Sequence, residues 1–169
     1  MKRCIVSILF CMSFCLVAAL EASSCPFCSP DVIAKQTVFE TQYFYVFVDY
    51  APVIEGHLLA IPKRHIAFAQ ELSREEWGGL YDIIPKVVKV FERALHTNQY
   101  VLLQKNGPNA GQSVPHVHFH LIPIPSKKLA DEVKTAFFEK IFDHPPRRLE
   151  GQELENTINK YRQYFSESE

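Results

Sequence analysis

Three of the chain's seven histidines recur at every second position in the stretch GQSVPHVHFHLIP, residues 111–123. His116, His118 and His120 alternate there with apolar residues, and alternation at period two predicts a β-strand with two different faces over Val114 to Pro123. Packing alone does not explain three imidazoles on one face, because a buried ring nitrogen without a hydrogen-bond partner is costly. The spacing therefore predicts that a polar ligand or a metal meets the histidine face.

The segment before the histidines, NGPNAGQS at residues 106–113, combines glycines with amide and hydroxyl side chains. Glycines let the backbone approach a ligand closely, and Asn, Gln and Ser donors suit phosphate oxygens. Two histidines separated by one residue on a strand are also common metal ligands. A metal site would require further ligands nearby, so the loop favours a phosphate-bearing ligand and leaves the metal alternative open.

Together with DYAPVIEGHLLAIPKRH (residues 49–65) and CPFC (residues 25–28), this region resembles the histidine triad (HIT) family of nucleotide hydrolases and transferases, from about Cys25 to Pro123. The resemblance implies a compact α+β domain, usually a homodimer, that attacks the α-phosphorus of a purine nucleotide. It implies a covalent nucleotidyl-histidine that water then cleaves, so no catalytic metal is required. Nucleoside phosphoramidates, dinucleoside polyphosphates and nucleotide conjugates are the implied substrates.

The resemblance also implies roles for individual residues. The implied catalytic residues are His118 as the nucleophile, His120 at the phosphate oxygens, Ser113 as a donor to the leaving group, and His116 as the first residue of the triad. The implied substrate-binding residues are Asp49 at the ribose, Asn106, Gln112 and Ser113 at the phosphates, and His57 as a fourth active-site histidine.

The polar residues outside the triad each have a structural alternative. Asn106 before Gly107 is a common turn pair, and Gln112 or Ser113 could simply cap the loop. Asp49 suits an Asx turn that opens the loop towards Pro52. His57 could be an ordinary polar residue at the start of a strand.

A second set of residues combines two cysteines with two histidines. A Cys-x-x-Cys pair is either a redox disulfide or half of a metal site, and Cys25 and Cys28 do not follow a strand as a redox pair would. The resemblance implies a structural zinc held by Cys25, Cys28, His65 and His116. Such a closed set leaves no open position for metal catalysis. The alternative is a pair that binds no metal, with His65 exposed.

Several regular elements are needed to position these residues. Strands are predicted at residues 37–40, 43–48, 57–62, 100–105 and 114–123 from their β-branched and aromatic content. Ser73 and Glu76 form a capping-box pattern before a helix over residues 74–95, in which Pro85 predicts a kink or an early break. Two amphipathic helices are expected after Ser126, separated by Pro145-Pro146. The predicted fold is α+β, a single domain with a mainly antiparallel sheet of about five strands.

Composition places further bounds on the chain. Its 169 residues carry a formal net charge of −1, which provides no basic field for a nucleic-acid polymer.

We expect a leader over residues 1–22, a HIT domain over residues 23–126 and a helical extension over residues 127–169. Lys2 and Arg3 before the apolar run to Leu20 are typical of a secretory signal or a membrane anchor, unless translation starts at Met12. The thiolate pair and the family instead favour the cytoplasm.

Three functions remain open at this point. The first is a nucleotide hydrolase or transferase of phosphoramidase or dinucleoside polyphosphate hydrolase type. The second is a nucleotide-binding interaction protein whose catalysis is vestigial. The third is a zinc-dependent hydrolase in which the three histidines are metal ligands, and replacing His118 distinguishes the three.

Overall fold

The computed structural model describes residues 25–126 and 148–167. Five antiparallel strands form one sheet with the order β1-β2-β3-β5-β4. The strands are β1 (Thr37–Glu40), β2 (Phe44–Val48), β3 (Leu58–Pro62), β4 (Tyr100–Gln104) and β5 (Phe119–Pro123). The helices are α1 (Pro30–Gln36), α2 (Arg74–Leu95) and α3 (Gly151–Ser166). The predicted α+β class and the five-stranded antiparallel sheet are confirmed.

Two sequence predictions fall outside the described residues. The predicted leader falls within residues 1–24, and the first of the two predicted C-terminal helices falls within residues 127–147. In the segments that the structure does describe, no helix combines the length and the apolar character needed to cross a membrane.

The histidine strand is shorter than predicted, because β5 begins at Phe119 and not at Val114. His116 N–H donates to the Val114 carbonyl at 2.8 Å, and Val117 N–H donates to the Ile66 carbonyl at 2.8 Å. A local turn and the segment after β3 therefore take up the amides that a strand ladder would use. The expected alternation of faces nevertheless holds, since Val117, Phe119 and Leu121 are all buried in one core cluster.

Helix α2 has the bounds that the sequence predicts, and its start has a clear cause. The Ser73 hydroxyl accepts from Glu76 N–H at 3.2 Å, and Ser73 N–H donates to the Glu76 carboxylate at 2.7 Å. This capping box satisfies amides that have no partner in the first turn. Pro85 was predicted to kink the helix or to mark an early break; the helix continues to Leu95, so of these two outcomes the early break is wrong.

The sheet separates two apolar clusters. Side chains of β2 and β3 alternate between them: Phe44, Val46 and Leu58 pack on the α2 side, whereas Phe47 and Leu59 pack with Cys25 and Phe27 on the other. His120 lies opposite Leu59 in the sheet register. The triad histidine thus shares a face with the segment that carries the two cysteines.

Helix α3 packs against the sheet on the α2 side. Its residues Ile158, Tyr161 and Phe165 belong to the same core cluster as the α2 residues, and Phe165 stacks on Phe39 with ring centroids 4.9 Å apart. The second predicted C-terminal helix is confirmed, and it extends the core of the sheet.

Candidate active site

His118 has one ring nitrogen committed to the backbone. Its Nδ1 lies 2.8 Å from the His116 carbonyl oxygen, and a carbonyl only accepts, so Nδ1 carries the proton. The other nitrogen, Nε2, therefore presents a lone pair. Burial lowers the pKa of His118, although the backbone bond and Asp49 oppose this shift. A neutral, oriented imidazole with a free lone pair is the form that a nucleophile requires.

His120 is connected to a buried chain of polar groups. Its Nδ1 lies 2.9 Å from Nε2 of His57, and Nδ1 of His57 lies 3.2 Å from Oδ2 of Asp49. Burial lowers the pKa values of both imidazoles, well below the ordinary value for His120. Asp49 raises that of His57 and is the main opposing charge. This series of polar contacts runs from the Asp49 carboxylate through His57 to His120. The ring centroids of His120 and His118 are 5.0 Å apart.

Two proton arrangements satisfy the contact between the imidazoles. In the first, His57 Nδ1–H donates to Asp49 and its Nε2 accepts from His120. In the second, Val53 N–H donates to His57 Nδ1 at 3.3 Å, and His57 Nε2–H donates to His120. The second arrangement leaves an Nε2–H on His120 that is available to a phosphate oxygen, and the Asp49 carboxylate also accepts from Ala51 N–H at 2.9 Å.

Asp49, His57 and His120 also qualify by distance as a group that could hold a metal, with ligand atoms within 4.8 Å of one another. The 2.9 Å separation of the two imidazole nitrogens is a hydrogen-bond distance, so they bond to each other. The three triad histidines do not converge either, because His116 faces the cysteines and His118 faces a carbonyl. This geometry does not favour a catalytic metal held by the triad.

Cys25, Cys28, His65 and His116 form a compact group, as predicted. Their four potential ligand atoms lie within 4.8 Å of one another, with Sγ of Cys25 3.4 Å from Nδ1 of His116 and Sγ of Cys28 3.3 Å from Nδ1 of His65. Nε2–H of His116 donates to the Pro62 carbonyl at 2.9 Å. This bond leaves Nδ1 of His116 unprotonated and aimed at the cysteines, so the cluster could hold a metal ion.

The loop before the triad uses its amide side chains internally. Oε1 of Gln112 accepts from Gly107 N–H at 2.6 Å, and Nε2 donates to the Ala67 carbonyl at 3.0 Å. Oδ1 of Asn106 accepts from Ala69 N–H at 2.8 Å. Both side chains brace the loop against residues 67–70, which is the structural alternative raised by the sequence. Their phosphate contacts stay predictions.

The same loop leaves its last amides free. Ser113 is exposed, and across residues 25–126 and 148–167 the backbone N–H groups of Ser113 and Val114 donate to no protein acceptor. Consecutive free amides at a glycine-bearing turn form a small concave donor site for an anion. These amides precede His118 by only a few residues.

The structure adds two neighbours of the triad that the sequence analysis missed. Phe27, between the two cysteines, packs edge-on against His118 and His116 with ring centroids 5.3 and 5.9 Å away. Lys105, which follows β4, contributes a charge that lowers the pKa values of both His118 and His120. The position of Phe27 inside the CPFC motif was a usable signal, whereas a lone lysine after a strand carries none.

Helix α3 and the segment before it contact the loop that holds Asp49 and His57. Leu149 N–H donates to the Tyr50 carbonyl at 2.5 Å, and Lys160 pairs with Glu55 at 2.6 Å. A cavity of about 470 Å³ lies between this loop and α3, and His57 is among its lining residues. The position of His57 therefore depends on a helix outside the sheet.

The family model for the HIT domain matches residues 31–137. An adenosine 5'-monophosphoramidase of Schizosaccharomyces pombe is 43% identical over 107 residues, which are 62% of this chain and 77% of that protein. A bis(5'-adenosyl)-triphosphatase of Dictyostelium discoideum is 31% identical over 135 residues, 79% of this chain and 88% of that protein.

Solved structures support the fold assignment. A zinc-bound histidine triad family protein from Mycobacterium smegmatis superposes with a TM-score of 0.62 and 20% identity, covering 86% of this chain and 96% of that one. At this identity the likeness concerns the fold alone.

Replacing Gly56 with alanine tests the dependence of His57 on its loop. Gly56 has φ +88°, and an added Cβ would lie 2.6 Å from Leu95 Cδ1 and 2.7 Å from the Tyr161 hydroxyl oxygen. We expect Gly56→Ala to lower the free energy of unfolding by about 1–3 kcal/mol, through backbone strain and overpacking. Chemical denaturation measures the effect.

Gly78→Ala is the matched control, because nothing lies within 4 Å of a Cβ at that exposed position of α2. It should be neutral or raise the free energy of unfolding by about 0.5–1 kcal/mol, since alanine favours a helix over glycine. Equal free energies of unfolding for the two variants would contradict the tight packing of Gly56 against Leu95 and Tyr161.

Proposed function

Because the chain belongs to the histidine triad (HIT) family, we propose that it is a nucleotide hydrolase or transferase that attacks the α-phosphate of its substrate. The observation that carries this proposal is the orientation of His118, whose Nδ1–H bonds to the His116 carbonyl and leaves Nε2 free. The substrates we propose are nucleoside phosphoramidates and dinucleoside polyphosphates, on which the two relatives named above act. A purine nucleoside is the expected nucleotide part.

In the proposed first step, the Nε2 lone pair of His118 attacks the α-phosphorus. A phosphorus–nitrogen bond forms while the bond to the leaving group breaks, and the leaving group departs with the electron pair. Ser113, exposed at the end of the loop, donates a proton to the leaving atom and regains one from solvent. In the second step water attacks the phosphorus and loses a proton to solvent, the phosphorus–nitrogen bond breaks, and the nucleoside monophosphate is released while Nε2 recovers its lone pair.

The surrounding donors stabilise charge on the phosphate oxygens in both steps. Free backbone amides of Ser113 and Val114, together with Nε2–H of His120, are fixed before the substrate arrives. Preorganised donors of this kind stabilise a transition state without reorganisation at the moment of reaction. We propose the proton arrangement in which His57 Nε2–H donates to His120 and so holds its orientation, while the Asp49 carboxylate accepts from the ribose hydroxyls. We also propose that Asn106, Gln112 and His57 contact the substrate, as the family resemblance implies.

We further propose that the Cys25-Cys28-His65-His116 cluster binds zinc in a structural role. Two thiols and two imidazoles are a common zinc ligand set. Burial raises the pKa of the Cys28 thiol to about 12, and the neighbouring Cys25 adds to this shift. A divalent cation offsets the shift because it favours the thiolate. Burial lowers the pKa of His116 to about 4, so this ligand is already in its neutral form. Bound zinc would tie the N-terminal segment to the backbone that orients His118.

A homodimer is also proposed, with β4 as the surface that pairs. Strand β4 is an edge of the sheet, and it exposes Val101 and Leu102 to 37% and 41%. An exposed apolar edge strand is an open template for pairing with another chain. An antiparallel pairing of two β4 strands about a twofold axis closes both edges at once.

Replacing His118 with alanine tests the covalent mechanism. We expect turnover of adenosine 5'-phosphoramidate to fall by roughly three orders of magnitude or more, because the nucleophile is lost. Intact-mass spectrometry should detect an adenylyl adduct on the wild type and none on the variant, which should still bind adenosine 5'-monophosphate. A variant with substantial residual turnover would refute His118 as the nucleophile. A wild type that binds the nucleotide without adduct or turnover would instead support the vestigial alternative.

Metal analysis of the purified protein should find about one zinc per chain. His116→Ala should lose the zinc and lower the melting temperature, since binding free energy at such a site is also folding free energy. His118→Ala is the matched control, because it removes an imidazole two residues away and should retain the metal. Loss of zinc from both variants would favour the hydrolase in which the triad binds the metal. A wild type without zinc would exclude the structural site.

Sedimentation velocity tests the dimer. Leu102→Lys should shift the protein towards the monomer, because a charge would be buried where two edge strands meet. Gln152→Lys, an equal change of charge at an exposed position on α3, should leave the dimer intact. A wild-type protein that stays monomeric at micromolar concentration contradicts the proposal.

A further inference from the structure

Lys105 lies at the start of the loop that precedes the triad. It follows Gln104, the last residue of β4, which is paired with Phe119 at the start of β5. Its Nζ lies 3.4 Å from the position that a Cβ on Gly111 would occupy, and its Cδ and Cε lie 3.6 and 3.8 Å from the same point. The aliphatic stem therefore covers the open side of Gly111, which has φ +80°, and carries the ammonium along the loop.

Within the described residues, no carboxylate pairs with the charge of Lys105. Lys63, Arg64 and Lys160 each pair with a glutamate, whereas Lys105 makes no ion pair within residues 25–126 and 148–167. The side chain is half-buried, and burial lowers its pKa. A partly desolvated cation without a counter-ion favours an anionic ligand.

The sheet register places the start of this loop near the two reacting imidazoles. Leu103, two residues before Lys105, pairs with His120, and Gln104 pairs with Phe119, which separates His118 from His120 in the chain. The proposed function already provides donors for the α-phosphate oxygens, namely the amides of Ser113 and Val114 and the His120 ring. These groups are neutral, and they leave any further phosphate of the substrate without a compensating charge.

We propose that Lys105 binds the phosphate oxygens of the leaving group, and that this selects nucleotides with an anionic phosphate leaving group over phosphoramidates with a neutral amine. The inference rests on the proposed α-phosphate chemistry. Lys105 keeps its proton throughout and takes no part in bond making. It stabilises the negative charge that grows on the bridging oxygen as the bond to the α-phosphorus breaks. The α-phosphate carries the same charge in both substrate classes, so a contact there would not discriminate between them.

The test compares two substrates in one variant. Lys105→Gln keeps most of the length of the side chain and removes its charge. The ratio of kcat/KM for bis(5'-adenosyl) triphosphate to that for adenosine 5'-phosphoramidate should fall about 10- to 100-fold, which corresponds to one lost charge-assisted hydrogen bond. Lys105→Arg should recover part of the ratio. Lys89→Gln, which removes an exposed charge on α2, should leave the ratio unchanged.

A binding measurement keeps the inference testable if turnover is absent. In the His118→Ala background, calorimetry compares bis(5'-adenosyl) triphosphate with adenosine 5'-monophosphate. Adding Lys105→Gln should weaken binding of the triphosphate about tenfold or more and change binding of the monophosphate much less. An equal loss for both ligands, or an unchanged kcat/KM ratio, overturns the assignment. A wild type that turns over neither substrate contradicts the proposed function instead, and the binding comparison then decides the role of Lys105 alone.

Discussion

The three polar contacts of His116 are the constraint on which the rest of the site depends. Nε2–H bonds to the carbonyl at the end of β3, Nδ1 faces the two cysteines, and the backbone carbonyl accepts from His118. Each contact fixes a different part of the molecule. A histidine that takes no part in the proposed chemistry thus sets the tautomer of the proposed nucleophile and holds the N-terminal segment against the sheet.

A second constraint acts on the site from the opposite side of the sheet. The loop between β2 and β3 carries Asp49 and His57, and Tyr161 of α3 lies directly beside Gly56. His57 in turn contacts His120. The two residues proposed to act on the phosphate are therefore oriented by different supports: His118 by the cysteine cluster, and His120 by the packing of α3.

Residue patterns predicted the elements whose causes are local. The capping box at Ser73 and the apolar repeat of α2 determine that helix, and β-branched and aromatic content indicated β1 to β3 within a residue at each end. The start of β5 was predicted too early because its alternation extends to Val114, although tertiary contacts with Ile66 and a proline at position 115 prevent a ladder there. Alternating faces do not require a paired strand.

The candidate site was predictable where several functional residues recur at fixed spacing. The cysteine pair, His65 and His116 came together as expected. Asn106 and Gln112 brace the loop with their side chains, and their phosphate contacts stay predictions. Lys105 left no signal in the sequence, because its closeness to Gly111 and to the histidines arises only from the fold of the loop. Helix α1 was also missed, since seven residues are too few to establish an apolar repeat.

The contact between Cys25 and His116 joins positions 91 residues apart, and this separation orders events during synthesis. At about 5–20 residues per second, roughly 5 to 18 seconds pass between the appearance of one partner and that of the other. The segment with Cys25 and Cys28 leaves the ribosome before the sheet that it covers. During this time it lacks its contact with His116. The period in which Cys25 and Cys28 are open to oxidation in a nascent chain is therefore set by the rate of translation.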